Sequence, residues 1–520
     1  MKVERKLSTR FSSLLGYGIL AILAILFSLP AIRSPFWTGN DAWSNLLPII
    51  HFRDSLLNHQ VFPNYTDLWY GGRFQWQNPL WSFFYLPATL IWLVTPLDIG
   101  MKSVYFLHLL FILFAAKKLS SRFFEIEIEQ IAASILFVSP SLPAFIAGQT
   151  EKILSWGWVL LGLFFLLRRE KSSSNSIWAG ICLGIVPLTG ANYHAFYSGI
   201  LFVLILLWQN SRKNFLFFSL GASIGLIHLP SIVYLIGHSR GNAEQSIQTI
   251  KLSLAGVFSS LSIGLAPPMG WETWAPIGIP IVYFFLKTIF IKIKRIALSR
   301  STKEITQLEK PFLIAIIVFI LFATGLAYEG HNFFDTFRVP ARALPFIALC
   351  VTTFTFLQLL GDFPSISRRI YLIASTIQVL LLSSMIRPEG APFSPYDTGA
   401  QQLAQILKAD NAKSVWISMD ALNDMYIQVV LTDNGIQLPN VYYGDMGQQV
   451  KITGNFCGYS FDHLVVQTPI TNPEIDLIAD MEWSQTRGKI PLENLFPLAE
   501  VNINGKSYLT YRVFCNAEGQ

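Results

Sequence analysis

The sequence predicts a polytopic α-helical membrane protein with a folded, extracytoplasmic, mixed α/β domain at its C-terminal end, on three observations. Apolar runs approaching the roughly 20 residues needed to cross hydrocarbon recur between residues 14 and 386. Lysine and arginine fall in short clusters between those runs rather than on one basic face. After Ile386 the composition changes to that of a soluble domain. With 52% hydrophobic and 13% charged residues and a mean hydropathy of +0.45, much of the chain must be solvated by lipid. The net charge of +6 is accounted for by the scattered clusters, so nucleic acid is not an expected partner.

The runs lie near residues 14–32, 101–116, 130–148, 153–167, 176–192, 195–209, 215–236, 276–291, 311–328, 341–360 and 370–386. The first is longer than a signal-peptide core and lacks a small-residue cleavage site, so it reads as a retained span. One further stretch, 78–96, is ambiguous, because it carries Pro79, Pro87 and Pro96 and is dense in aromatic residues. If it does not cross, the clusters at Lys117, Arg168, Arg212, Lys292 and Arg368 share a side with the basic N-terminus. It is therefore expected to be interfacial or re-entrant, leaving about eleven spans in an inner or plasma membrane. The N-terminus is then cytoplasmic. A membrane domain covers residues 1–387, with a first outer loop at 33–100 containing juxtamembrane helices, and an extracytoplasmic domain covers 388–520.

The first outer loop is the richest in chemistry. It opens with Trp37-Thr38-Gly39-Asn40-Asp41-Ala42-Trp43, followed by an amphipathic segment, 46–57, holding His51, Arg53 and Asp54. Taken alone, Asp41 reads first as the cap of the following helix. A carboxylate at a span mouth, shielded by Trp37 and Trp43, is also where desolvation makes a general base. Further on come Asp67, Trp69, Tyr70, Gly71, Gly72, Trp76, Asn78 and Pro79. Aromatic faces interleaved with amides and carboxylates suit a sugar, though an interfacial belt accounts for the rings as well.

An acidic residue just after the first span, a juxtamembrane amphipathic helix, then a Pro, Trp, Gly-Gly and Asn-Pro series leading into an aromatic re-entrant helix resembles the first outer loop of the GT-C superfamily. These are membrane glycosyltransferases, among them protein mannosyltransferases, aminoarabinose transferases and oligosaccharyltransferases, that use polyprenyl-linked sugars. The resemblance covers roughly residues 1–390 and implies that Asp41 is the catalytic or acceptor-orienting carboxylate. Many members pair two acidic residues there, whereas Asn40 precedes Asp41 here.

Two further places fit that resemblance. Glu151 stands at the second outer turn, where some members place an acidic residue that helps bind a divalent cation such as Mg or Mn. A solvated ion pair with Lys152 is the cheaper explanation of the residues themselves. Phe337-Arg338-Val339-Pro340-Ala341-Arg342-Ala343 opens the tenth span, with Arg338 and Arg342 four apart around a proline that can start a helix. Two guanidinium forks at headgroup level suit a phosphate, with His331 and Asp335 nearby. His194, between two apolar runs, reads as a hydrogen-bonded helix-packing residue.

The resemblance thus implies an inverting transfer of a sugar from a polyprenyl-phosphate donor to a hydroxyl of a lipid, glycan or protein acceptor. Asp41 would be the base, Arg338 and Arg342 would hold the donor phosphate, and Trp43, Asp67, Trp69, Trp76 and His331 would line the sugar and acceptor. The rival readings are a transporter of lipid-linked glycans and a non-catalytic membrane scaffold. No Walker loop, Rossmann glycine fingerprint or zinc-binding helix occurs, which disfavours a nucleotide-driven pump.

In the C-terminal region, 400–409 has helical periodicity, 413–419 and 463–467 read as buried strands, and Asn504-Gly505 is a hairpin signal. Cys182 and Cys350 lie in apolar runs. Cys457 and Cys515 are either a disulfide or two free thiols on the sequence alone.

Overall fold

A computed structural model describes residues 15–28, 49–50, 52–53, 55–57, 60, 65–66, 73–74, 82–142, 150–168, 172–230, 233, 251–263, 274–299, 306–328, 340–359, 365–385, 398–417, 425–436, 438, 461–468, 470, 474–478, 486–503 and 505–513. The chain divides into two compact units. One comprises residues 1–30, 84–89 and 102–388, and the other residues 31–83, 90–101 and 389–520.

The first unit is helical. Its described helices are α1 (Leu15–Ser28), α2 (Leu86–Val94), α3 (Leu97–Ser120), α4 (Glu127–Val138), α5 (Thr150–Leu166), α6 (Ser173–Leu188), α7 (Asn192–Gln209), α8 (Arg212–Ala222), α9 (Leu254–Ile263), α10 (Ile279–Ser299), α11 (Lys310–Ala323), α12 (Leu344–Leu359) and α13 (Ser365–Met385), the first few residues of α3 and most of α2's second half belonging to the other unit. Among the described residues, three stretches are long and apolar enough to cross a membrane: Ile99–Ser120, Ala341–Leu359 and Ile366–Ser383. The chain is thus a mostly helical membrane protein. At nine residues, α2 is about 14 Å long, less than half the thickness of hydrocarbon.

Charges and caps explain where these helices end. Lys117 and Lys118 close α3, and Glu127 and Glu129 open α4, each sign complementing the helix dipole it meets. Lys117 pairs with Glu127 and lies 3.8 Å from the centre of the Tyr17 ring. A side chain at Gly16 would displace the Glu127 carboxylate from its place beside Lys117. Ser172 caps α6 by accepting the Asn175 N–H, and Ser211 caps α8 by accepting that of Asn214. Between them α7 stops at Asn210, in the left-handed conformation with φ of +49°.

Helices α6 and α8 meet backbone to backbone. A Cβ at Gly180 would lie 2.0 Å from the Phe218 carbonyl oxygen, and one at Gly221 would lie 2.3 Å from that of Ile177. Gly184 and Gly225 continue the contact one turn on, a small-xxx-small pairing of the kind that holds helices together in lipid.

A polar staple joins α9, α10 and α13. The N–H groups of Ile277 and Gly278 donate to the Leu261 carbonyl at 2.8 and 3.2 Å. Gln378 of α13 accepts from Ile279 N–H at 2.8 Å and donates to the Ser262 carbonyl at 3.0 Å. One amide thus satisfies the end of one helix and the start of the next. No spanning run is expected between the 215–236 and 276–291 runs, and α9 lies there. At ten residues α9 falls below the length by which spans were recognised.

In the second unit, β1 (Tyr65–Thr66) and β2 (Arg73–Phe74) form a short antiparallel ladder. Arg53 donates to the Thr95 carbonyl at 2.8 Å, a cation just beyond the C-terminus of α2. The C-terminal part holds α14 (Thr398–Ala409), β3 (Val415–Ile417), α15 (Met425–Asp433), β4 (His463–Gln467), β5 (Glu474–Ile478), β6 (Thr486–Pro491), β7 (Leu495–Ile503) and β8 (Lys506–Val513). Strand order is β3-β4-β8-β7, with β3 parallel to β4 and the other pairs antiparallel. β5 and β6 pair separately. Trp416, Phe461, Leu464, Val466, Ile490, Leu495 and Tyr511 form the core. The β7–β8 hairpin turns at Gly505, whose φ of +80° suits glycine.

At one end of the sheet, buried His463 bridges two carboxylates: Nδ1 is 2.7 Å from Asp462 and Nε2 is 2.8 Å from Asp410. Arg512 of β8 grips Asp410 through both Nε and Nη2.

Candidate functional site

Three chain segments of the helical unit bring ionisable groups to one junction. Helix α5 supplies Glu151, Lys152 and Ser155, α7 supplies Tyr193 and His194, and the turn Pro340–Ala343 before α12 supplies Arg342. The sequence reading favoured a solvated Glu151–Lys152 turn. Instead the two residues form the first turn of α5 and are only 9% and 5% exposed. They are buried because α5 continues without a break into an apolar helix packed on α6 and α7.

Lys152 Nζ lies 3.7 Å from Glu151 Oε1, and Glu151 Oε2 is buried with no hydrogen-bond partner among the described residues. A buried carboxylate oxygen left open is costly to folding, and such exceptions collect at functional positions. The Thr189 hydroxyl donates to the Val186 carbonyl at 2.7 Å, with the Glu151 carbonyl at 3.4 Å.

One turn deeper, the Ser155 hydroxyl donates to the Lys152 carbonyl at 3.0 Å and lies 2.6 Å from His194 Nδ1. Trp156 and Phe346 flank the imidazole at ring-centre distances of 5.4 and 5.3 Å. The charges of Lys152 and Arg342 both bear on it. The Arg342 guanidinium lies 4.3 Å from the centre of the Tyr193 ring, a cation–π contact that fixes its plane. His194 is hydrogen-bonded between helices, as its position in the sequence predicts.

The described residues at this junction carry two cations and one carboxylate. Among the described residues no group of three His, Cys, Asp or Glu side chains stands ready to hold a metal ion. A dication takes several oxygen donors, and one carboxylate beside an ammonium does not supply them. The described residues alone therefore do not complete the Mg or Mn site that the superfamily resemblance implies, and their excess of cations favours an anion.

Asp41, Trp43, Asp67, Trp69, Trp76, His331, Asp335 and Arg338 lie outside the described residues, as do Cys457 and Cys515. Lys152, Ser155 and Tyr193 were missed as site residues. The charge of Lys152 beside Glu151 was the available signal, and it read as surface.

A second polar chain runs nearby in the same unit. Trp158 Nε1 donates to the Tyr85 hydroxyl at 3.0 Å, Tyr85 donates to His108 Nε2 at 2.8 Å, and His108 Nδ1 donates to the Val104 carbonyl at 2.6 Å. Every member is satisfied, which is the pattern of a packing network.

No protein-family profile matches the chain, and no curated protein sequence matches it. Among solved structures it is similar to the oligosaccharyltransferase AglB from Archaeoglobus fulgidus in complex with an inhibitory peptide and a dolichol-phosphate. The TM-score is 0.48 at 12% identity, covering 87% of this chain and 69% of AglB. It is also similar to the mycobacterial arabinofuranosyltransferase AftD, with a TM-score of 0.47 at 12% identity, covering 96% of this chain but 41% of AftD. Both are GT-C membrane glycosyltransferases, the superfamily that the first outer loop resembles. At these TM-scores no residue role is carried over from either.

Proposed function

We propose that the chain is an outward-facing membrane glycosyltransferase that moves a sugar from a polyprenyl-phosphate donor to an acceptor hydroxyl with inversion. In this reading about eleven helices cross the bilayer, with the N-terminus in the cytoplasm and residues 388–520 outside as a separate domain. The donor enters sideways from the lipid, and its phosphate is met by Arg338 and Arg342. Asp41 takes the proton of the acceptor hydroxyl or orients it. The acceptor oxygen attacks the anomeric carbon, the bond from that carbon to the phosphate oxygen breaks, and the lipid phosphate leaves with the electron pair. Trp43, Trp69 and Trp76 stack on sugar faces, while Asp67 and His331 orient hydroxyls.

The observation that supports this most is the junction of Glu151, Lys152, His194 and Arg342. A buried carboxylate beside Lys152, with one oxygen open among the described residues, and Arg342 acting with Lys152 on the same His194, suits a phosphorylated lipid and a hydroxyl nucleophile. No step is routed through a metal ion.

The test is transfer of labelled sugar from polyprenyl-phosphate donors by the purified chain in proteoliposomes. Asp41→Asn and Arg342→Ala are expected to lower transfer by about 10²-fold or more. Wild-type rates in both would remove the assigned roles. Movement of labelled lipid-linked glycan across the bilayer with no new glycosidic bond would establish the transporter reading instead. Cysteines at 41 and 338 that are labelled from opposite sides of the membrane would end the proposal.

A further inference from the structure

Helix α10 carries a surface that the transfer reaction does not use. Ile279, Tyr283, Leu286, Phe290 and Ile293 follow one another at alternating spacings of four and three, which keeps them on a single stripe. All five are exposed, Phe290 at 69% and Ile293 at 61%. Beside them Lys287 and Lys294, seven residues apart, form a parallel exposed column, and exposed Arg295 stands next to Lys294 at the same level of the helix, about 100° further round. Lys292 differs: it is largely buried and bonds Glu309 at 2.7 Å, anchoring the helix to the turn before α11. The helix contains four cations and no acidic residue.

Hydrocarbon alone explains an apolar stripe, but not one that continues past Lys287 to Ile293 with lysines alongside. A helix of this kind lies where acyl chains meet headgroups, its apolar column in the chains and its lysines reaching phosphates. A second copy meeting this stripe about a two-fold axis would set Lys287 and Lys294 near their own counterparts, so like charges oppose it. We infer that the Lys287–Arg295 half of α10 is a binding surface for anionic phospholipid headgroups, with Lys287, Lys294 and Arg295 as the phosphate contacts.

The test uses the full chain in nanodiscs containing either spin-labelled phosphatidylglycerol or spin-labelled phosphatidylcholine. The wild type is expected to restrict more of the anionic lipid, with a preference that falls as salt rises. The Lys287→Gln/Lys294→Gln/Arg295→Gln variant is expected to lose most of that preference, about fivefold per charge removed. A Lys408→Gln/Lys506→Gln control in the C-terminal domain keeps it. Equal restriction of the two lipids by the wild type, or an unchanged preference in the triple variant, overturns the inference. If the triple variant does not fold, a spin label on Ile293→Cys decides: greater accessibility to oxygen than to a water-soluble nickel chelate supports the surface, and the reverse defeats it. Oxidative cross-linking of Ile293→Cys into a dimer also defeats it, because a second copy then covers the stripe.

Discussion

The Glu129 carboxylate is held by two consecutive arginines of α13: Oε2 lies 2.9 Å from Arg368 Nη2, and Oε1 lies 3.1 Å from Arg369 Nε. Glu129 is 1% exposed, so its charge is tolerated only because both partners are present. Arg368 is the better buried of the two and also contacts the other oxygen's side of the carboxylate, at 3.1 Å. Glu129→Ala is therefore expected to destabilise the helical unit by about 3 kcal/mol or more, since it leaves Arg368 without its counterion. Thermal unfolding in detergent measures this. Arg369→Ala, on the exposed side, should cost less than half as much, and equal losses would refute the ranking.

The α6–α8 contact gives a second prediction. Any side chain at Gly180 or Gly221 must push a carbonyl of the facing helix away, because the obstacles are Phe218 and Ile177 backbone oxygens rather than movable side chains. Gly221→Ala is expected to cost about 1–3 kcal/mol and Gly221→Leu to abolish the folded monomer peak in size-exclusion chromatography. Gly199→Ala, where a Cβ meets nothing within 4 Å, is the matched control and should be neutral or slightly stabilising.

Local pattern carried much of the fold. His463–Gln467 reads as a buried strand and is one, because a short continuous apolar run with β-branched residues is a local property. Gly505 turns the hairpin because only a residue that tolerates positive φ fits there. Long-range pairings were not legible. Ser155 and His194 are 39 residues apart, and Glu129 and Arg368 are 239 apart, so nothing in either neighbourhood announces the partner. Glu151 was found but misjudged: next to a lysine it looks solvated, and only the packing of α5 shows that both are buried. The α9 helix was missed for a different reason, since ten residues, three of them serine, satisfy neither the length of a span nor the alternation of a strand.

The His463 cluster predicts acid sensitivity in the C-terminal domain. Burial acts to raise the Asp462 pKa, but the His463 hydrogen bond, the N–H groups of Lys413 and Ser414 and the His463 charge together hold it below the ordinary carboxylate value. A carboxylate depressed in the folded state stabilises that state above its unfolded pKa, and the contribution is lost as pH falls through the folded value. Stability of the sheet should thus decline below about pH 4, the usual aspartate range. Hydrogen exchange across β4 and β8 in the intact chain, corrected for intrinsic rates, measures it. Asp462→Asn should lower protection at neutral pH and flatten the acid limb, and an unchanged limb would exclude this origin.

Glu151 separates stability from function more sharply than any other described residue. Glu151→Gln keeps the side chain's shape and an oxygen toward Lys152, while removing a buried charge whose second oxygen has no partner among the described residues. Relief of the open oxygen's desolvation cost offsets the loss of the charge facing Lys152, which keeps an amide oxygen, so the thermal midpoint should change little. Sugar transfer should fall by about 10²-fold, with little change in the donor concentration needed for half-maximal rate. A structural carboxylate gives the opposite result, a lower midpoint with activity lost only in proportion to unfolded protein. Full transfer by a stable Glu151→Gln protein would leave Asp41 to act without it.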